Sequence, residues 1–181
     1  MKKYCLENKI EHRQIKMEHS PRASFPTFLF AILKILQPFL PIDKKDIINS
    51  ITTLEKQKEK ISSVNLSENN PALDLAKWIN EIPIIYYPWG LQSAAIRFKN
   101  SLQENAKIHA ITEDVIESCH NGIVSWDKSS NIQPILIQGV DDYIKTKERW
   151  EILKEFFEMK NVSYREIHSI NGNILSKVIN L

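Results

Sequence analysis

The chain has 181 residues, a length that suits one sizeable domain and would be cramped for two. With 43% hydrophobic and 25% charged residues it has ample material for a core, and a net charge of +2 gives no reason to expect a nucleic-acid or membrane partner. Only two cysteines, Cys5 and Cys119, lie far apart without metal-ligand spacing, and residues 1 to 17 hold no uninterrupted apolar segment, so the expected setting is reduced and cytoplasmic with no signal peptide.

In chain order, residues 2 to 9 fit one or two helical turns, and His12 to Met17 reads as a short strand. Glu18 to Ser24 is a turn with helix-start chemistry, in which Ser20 can cap and Pro21 fits a first helical position. Phe25 to Ile42 is the most apolar stretch. It is too short to span a bilayer, and Lys34, Pro38 and Pro41 interrupt it. A helix apolar nearly all round is covered on more than one side, which here implies a second domain or subunit against it. Asp43 to Ile61 reads as an amphipathic helix with Ile47, Ile51 and Leu54 on one stripe; residues 25–61 therefore form the expected cover of an interface. Ser62 to Asn70 is a polar loop. Asn70-Pro71 then starts a helix by Asx cap and proline, with Leu73, Leu75, Ala76 and Ile79 on its buried side.

From residue 82 the rhythm is regular. Ile82-Pro83-Ile84-Ile85-Tyr86-Tyr87 is a continuous apolar run of the kind buried on both faces of a sheet. Pro88-Trp89-Gly90 turns the chain, and Leu91, Ala95, Phe98, Leu102 and Ala106 then mark one face of a helix. Lys107 to Ile111 reads as the next strand, and Gln133 to Gln138 as another buried one. Asp141 and Asp142 are placed to open a helix carrying Trp150, Leu153, Phe156 and Phe157. Val162 to Ile167 reads as a last strand and Asn171 to Leu181 as a helical stub. Strands alternating with helices at these intervals imply an α/β fold, a doubly wound parallel sheet with right-handed crossovers.

No nucleotide-binding glycine fingerprint, phosphate-loop motif or His-Cys metal cluster is present, and the chain has only four glycines. These features argue against nucleotide and metal enzymes. The candidate chemistry lies in residues 97 to 126. There the interval from Glu104 to His120 puts a carboxylate and an imidazole on two elements that can converge as base and acid. Read alone, Glu104 also fits a solvated helix end, His120 a loop cap, and Arg22 a surface arginine at a helix start. Cys119 beside His120 suggests a thiolate, but no third, orienting group is identifiable. His12, His19, His109 and His168 read as structural, and Trp89, Trp126 and Trp150 as core or interface residues.

The order of Pro21-Arg22-Ala23, Asn70-Pro71-Ala72, Ile82-Pro83-Ile84-Ile85-Tyr86, Gln103-Glu104-Asn105-Ala106-Lys107 and Glu117 with His120-Asn121 resembles the archaeal-type bifunctional phosphoglucose/phosphomannose isomerases. These belong to the sugar isomerase (SIS) superfamily. The resemblance implies a single SIS-like domain over residues 1–181, the C-terminal half of a two-domain enzyme clipped at both ends. It also implies a homodimer that interconverts glucose 6-phosphate or mannose 6-phosphate with fructose 6-phosphate through an enediolate. In that scheme Glu104 is the base between C1 and C2, His120 assists ring opening in the neighbouring subunit's site, and Arg22 stabilises the enediolate. The partner is a sugar phosphate, with no cofactor and no metal. The chain has Cys119-His120-Asn121-Gly122 where the family usually has Asn-His-Asn-Glu. It also lacks the phosphate loop of the first SIS domain and the last, lysine-bearing helix, so a non-catalytic sugar-phosphate-binding module or an inactive fragment is the alternative.

Overall fold

A computed structural model describes residues 1–16 and 19–181. They form two compact units, Met1–Ile42 and Asp43–Leu181. The first unit holds helix α1 (Lys2–Glu7), a 3₁₀ turn (Pro21–Ala23) and helix α2 (Phe25–Leu36). The strand expected over residues 12–17 does not form at 12–16, and Met17 and Glu18 lie outside the described residues. Pro21 opens the 3₁₀ turn as expected, but Ser20 caps nothing with its side chain. Instead Ser24 Oγ donates to the Ser20 carbonyl at 2.8 Å. No residue of α2 is buried, and Ile32 and Ile35 are more than half exposed.

The second unit opens with α3 (Lys44–Ile61), whose first turn is capped by Asp43 accepting from the Asp46 backbone N–H at 2.7 Å. Helix α4 (Pro71–Trp78) follows, and Asn70 accepts from the N–H groups of Ala72 and Leu73, the Asx-proline start read from the sequence. The remaining elements alternate: β1 (Ile82–Tyr87), α5 (Gln92–Ser101), β2 (Ile111–Asp114), α6 (Val115–His120), β3 (Ile132–Gln138), α7 (Ile144–Met159), β4 (Arg165–His168) and α8 (Ile174–Ile179). The four strands pair in the order β2-β1-β3-β4, every neighbour parallel.

Strand periodicity of two sends alternate side chains of β1 to opposite faces. Ile84 and Tyr86 join Leu136, Val115, Trp126, Trp150, Leu153 and Phe157 on one face. Ile85 and Tyr87 join Ile135, Ile137, Leu91 and Ala95 on the other, with Phe98, Leu102, Val178 and Leu181 packed against them. Helices α6 and α7 thus cover one face, and α5 and α8 the other, which is the doubly wound architecture. On the α7 side Phe157 meets Trp126 edge-on at 5.2 Å between ring centroids, and Trp126 Nε1 donates to the Tyr86 hydroxyl at 3.2 Å. Burial pushes the Tyr86 phenol far up, so it stays protonated and keeps its place in that cluster.

Both central strands carry a proline near their amino ends, Pro83 and Pro134, where each removes a ladder donor. A buried side chain supplies hydrogen bonds at this edge. Gln133 Oε1 accepts from the backbone N–H groups of Asn80 and Glu81, each at 2.8 Å, and its Nε2 donates to the Trp78 carbonyl at 3.1 Å.

Candidate active site

Glu104 is placed by the way α5 ends. The turn Pro88-Trp89-Gly90 sends the chain back along the sheet, and Leu91, Ala94 and Ala95 bury α5 against β1. After Ser101 the helix widens into a π turn, Leu102–Ala106, which carries Glu104 on its exposed side. A π turn inserts an extra residue per turn and recurs at functional positions. It closes at Lys107, which adopts the left-handed conformation (φ 61°) and folds its ammonium back onto the Glu104 carbonyl at 2.5 Å. The strand expected at 107–111 therefore begins only at Ile111, because Lys107 spends its backbone on stopping the helix.

Arg97, two turns before Glu104, is half-buried. Burial lowers its guanidinium pKa, and the Glu104 carboxylate acts against that shift. A carboxylate and a fixed positive charge are thus already coupled at this helix end. Sequence reading assigned Arg97 no role, although its seven-residue spacing from Glu104 was available as a signal.

His120 ends α6 with an exposed imidazole. The short helix is held at each end by a carboxylate. Asp114 Oδ1 caps it by accepting from the Ile116 N–H at 2.8 Å, and the Asn121 amide donates to Glu117 Oε1. A third carboxyl, that of Glu113 on β2, lies against Gly122. A Cβ at that position would fall 2.9 Å from Glu113 Oε1 and 3.0 Å from Oε2. Burial first, then the Glu117 and Asp114 carboxylates, push the Glu113 carboxyl above its ordinary range. Burial likewise pushes the Cys119 thiol up, with Ser118 and Arg149 opposing more weakly. Cys119 is therefore a protonated thiol packed against the aromatic core, and the thiolate alternative loses its support.

The two candidate residues are carried by helices that pack on different faces of this unit. Glu104 follows a helix packed on the Ile85–Tyr87 side, whereas α6 buries Val115 and packs the half-buried Cys119 on the Ile84–Tyr86 side. Along the sheet they also differ. The π turn lies where α5 returns to the amino ends of the strands, while α6 starts at the carboxyl end of β2 and rises only about 9 Å over its six residues. Arg22, in the other unit, is the exposed middle residue of the 3₁₀ turn Pro21–Ala23.

Comparison with known proteins agrees with this fold. The family described as the bacterial phospho-glucose isomerase C-terminal SIS domain matches residues 68–181, well over half of the chain, beginning just before the α4 cap and including both Glu104 and His120. Among solved structures, a glucose-6-phosphate isomerase-like protein from Thermus thermophilus superposes with a TM-score of 0.65 at 16% identity, covering 88% of this chain and 51% of that one. The C-terminal domain of a glucosamine-fructose-6-phosphate aminotransferase from Francisella tularensis gives a TM-score of 0.49 at 15% identity, covering 86% of this chain and 46% of that one. The chain thus spans about half the length of the Thermus protein, 51% of it. None of the curated proteins matches.

Proposed function

The chain belongs to the bacterial phospho-glucose isomerase C-terminal SIS-domain family, and on that premise we propose that it serves an aldose-ketose isomerase. The substrates would be glucose 6-phosphate and mannose 6-phosphate, interconverted with fructose 6-phosphate. Glu104 is the base that carries a proton between C1 and C2 of the open-chain sugar. His120 assists opening of the ring, and Arg22 balances the negative charge of the enediolate. The chemistry asks for one base, one acid and a fixed cation placed where charge develops.

The observation that carries this reading is the family match itself, which includes both residues on exposed helix ends. The helices that carry those ends pack on opposite sheet faces, which supports a site whose base and acid come from two copies of the chain, with a homodimer as the working form. Helix α2, apolar and with none of its residues buried, supports an interface with a second domain or subunit in the same sense. No helix among the described residues is long and apolar enough to cross a membrane.

A coupled assay of hexose 6-phosphate turnover tests the proposal. Wild-type chain should interconvert the aldose and ketose phosphates, and Glu104→Gln should cut the rate by about 10²- to 10⁴-fold, the usual contribution of a positioned base. Absence of turnover in the wild type, or an unaffected Glu104→Gln variant, contradicts it. The separation of Glu104 and His120 within one unit favours a second reading for the isolated chain, binding of a sugar phosphate without turnover. Calorimetry separates the two: heat with hexose 6-phosphates but no turnover selects the binding module, and no heat excludes it.

A further inference from the structure

The sheet has a cleft at the carboxyl ends of two strands, away from Glu104. Tyr87 and Asp114 are register partners, the last residues of β1 and β2. They floor a cleft of about 510 Å³ that Trp89, Gly90, Gln92 and Ser93 complete. Clefts at the carboxyl ends of strands are the usual ligand positions of open α/β sheets, and this volume falls in the range of small-molecule sites.

Three features define what the cleft accepts. Trp89 was expected to be a core or interface residue, yet it is 88% exposed, held out by a turn whose Gly90 takes a left-handed φ of 89°. An exposed indole plate at a cleft is a stacking surface for the C–H face of a ring. The polar groups come next. Gln92 Nε2 donates to the Tyr87 hydroxyl at 3.1 Å, which leaves that hydroxyl's own proton and the Gln92 carbonyl for hydrogen bonds. Asp114 spends Oδ1 on the α6 cap, and its Oδ2 has no hydrogen bond to a described residue. Finally, the six lining residues include a carboxylate and no cation. That field repels a phosphate and suits a ligand rich in hydroxyl donors.

We propose that this cleft binds an uncharged sugar ring, stacked on Trp89 and hydrogen-bonded through Asp114, Gln92 and Tyr87. It is a subsite for a neutral hexose, separate from any phosphosugar chemistry at Glu104 and His120, and it does not depend on that chemistry being correct.

The test follows the four indole N–H resonances by NMR as glucose, mannose and fructose are added, with their 6-phosphates and inorganic phosphate in parallel. A neutral hexose should shift the Trp89 resonance saturably, with a dissociation constant on the order of 10 mM, the weak affinity expected of an open stacking site. Trp89→Ala should weaken binding about tenfold or more, read from backbone shifts around Gln92 and Ser93. Asp114→Asn keeps the helix cap, since asparagine caps as well as aspartate, and should also weaken binding several-fold. Trp89 is a surface residue, so its loss leaves the fold intact; an Asp114→Asn variant that binds as wild type overturns the role of the carboxylate. No saturable shift with any neutral hexose, unchanged binding in Trp89→Ala, or tighter binding of the phosphates than of the neutral sugars each overturns the proposal.

Discussion

Gly122 is a residue whose absent side chain has a structural use. The Glu113 carboxylate lies about 3 Å from where a Cβ on Gly122 would sit, and β2 directs it against the chain just after His120. Gly122→Ala displaces only the free end of the Glu113 side chain, which can swing aside, so a destabilisation of no more than about 1 kcal/mol is expected. Shortening Glu113 to alanine in the same chain should recover part of it, and chemical denaturation of the single and double variants measures both. Glu113 has a second, independent signature. Its carboxyl pKa is raised in the fold by burial and by Glu117 and Asp114, so the folded state holds that proton more tightly than the unfolded state. Stability contributed at this site therefore falls as pH rises from the ordinary carboxyl range through the raised folded value. Glu113→Gln should flatten that stretch of the stability profile and leave the rest unchanged. A variant whose denaturation midpoint follows pH as the wild type does would remove Glu113 as the cause.

At the scale of elements, β1 and β3 were legible because a continuous apolar run bounded by turn residues leaves little else for a strand in the middle of a sheet. The capped start of α4 was legible for an equally local reason, the Asn70-Pro71 pair. What local reading misplaced was spent elsewhere in three dimensions. Asp141 and Asp142 were expected to open α7, which begins instead at Ile144. Asp142 Oδ2 accepts from the Gly139 N–H at 2.9 Å and from Trp150 Nε1 at 3.1 Å, tying the loop to the helix core, and Asp141 pairs with Lys177 at 2.7 Å. The late start of β2 has its cause in the left-handed Lys107 that ends the π turn. Arg97 and Glu113 escaped notice because their partners are set by the sheet, through the π turn in one case and the Gly122 contact in the other. Gln133 is the clearest tertiary device, since one buried amide bonds three backbone groups of the segment entering β1. Gln133→Ala gives up three hydrogen bonds to a segment whose Asn80 and Glu81 are exposed to water, and a loss of roughly 1–2 kcal/mol is expected in urea denaturation. A loss below about 0.5 kcal/mol, ordinary for a surface change, would show that water replaces the amide without cost.

For the whole molecule, the family and the doubly wound sheet place this chain among SIS domains, and the remaining question is how one copy takes part in chemistry. Its two candidate residues are carried at the ends of helices packed on opposite faces of one sheet, and its most apolar helix has no buried residue. Both features support the proposed homodimer. If each site of a homodimer takes Glu104 from one chain and His120 from the other, a mixed dimer of Glu104→Gln and His120→Ala chains holds one site with both defects and one with none. The most direct measurement is therefore turnover of fructose 6-phosphate by the two inactive variants after they are unfolded together, refolded at equal concentration and compared with each variant refolded alone. Random pairing makes half of the dimers mixed and half of their sites intact, so activity should return to about one quarter of the refolded wild type. A mixture no more active than the separate variants would contradict a site shared between two chains.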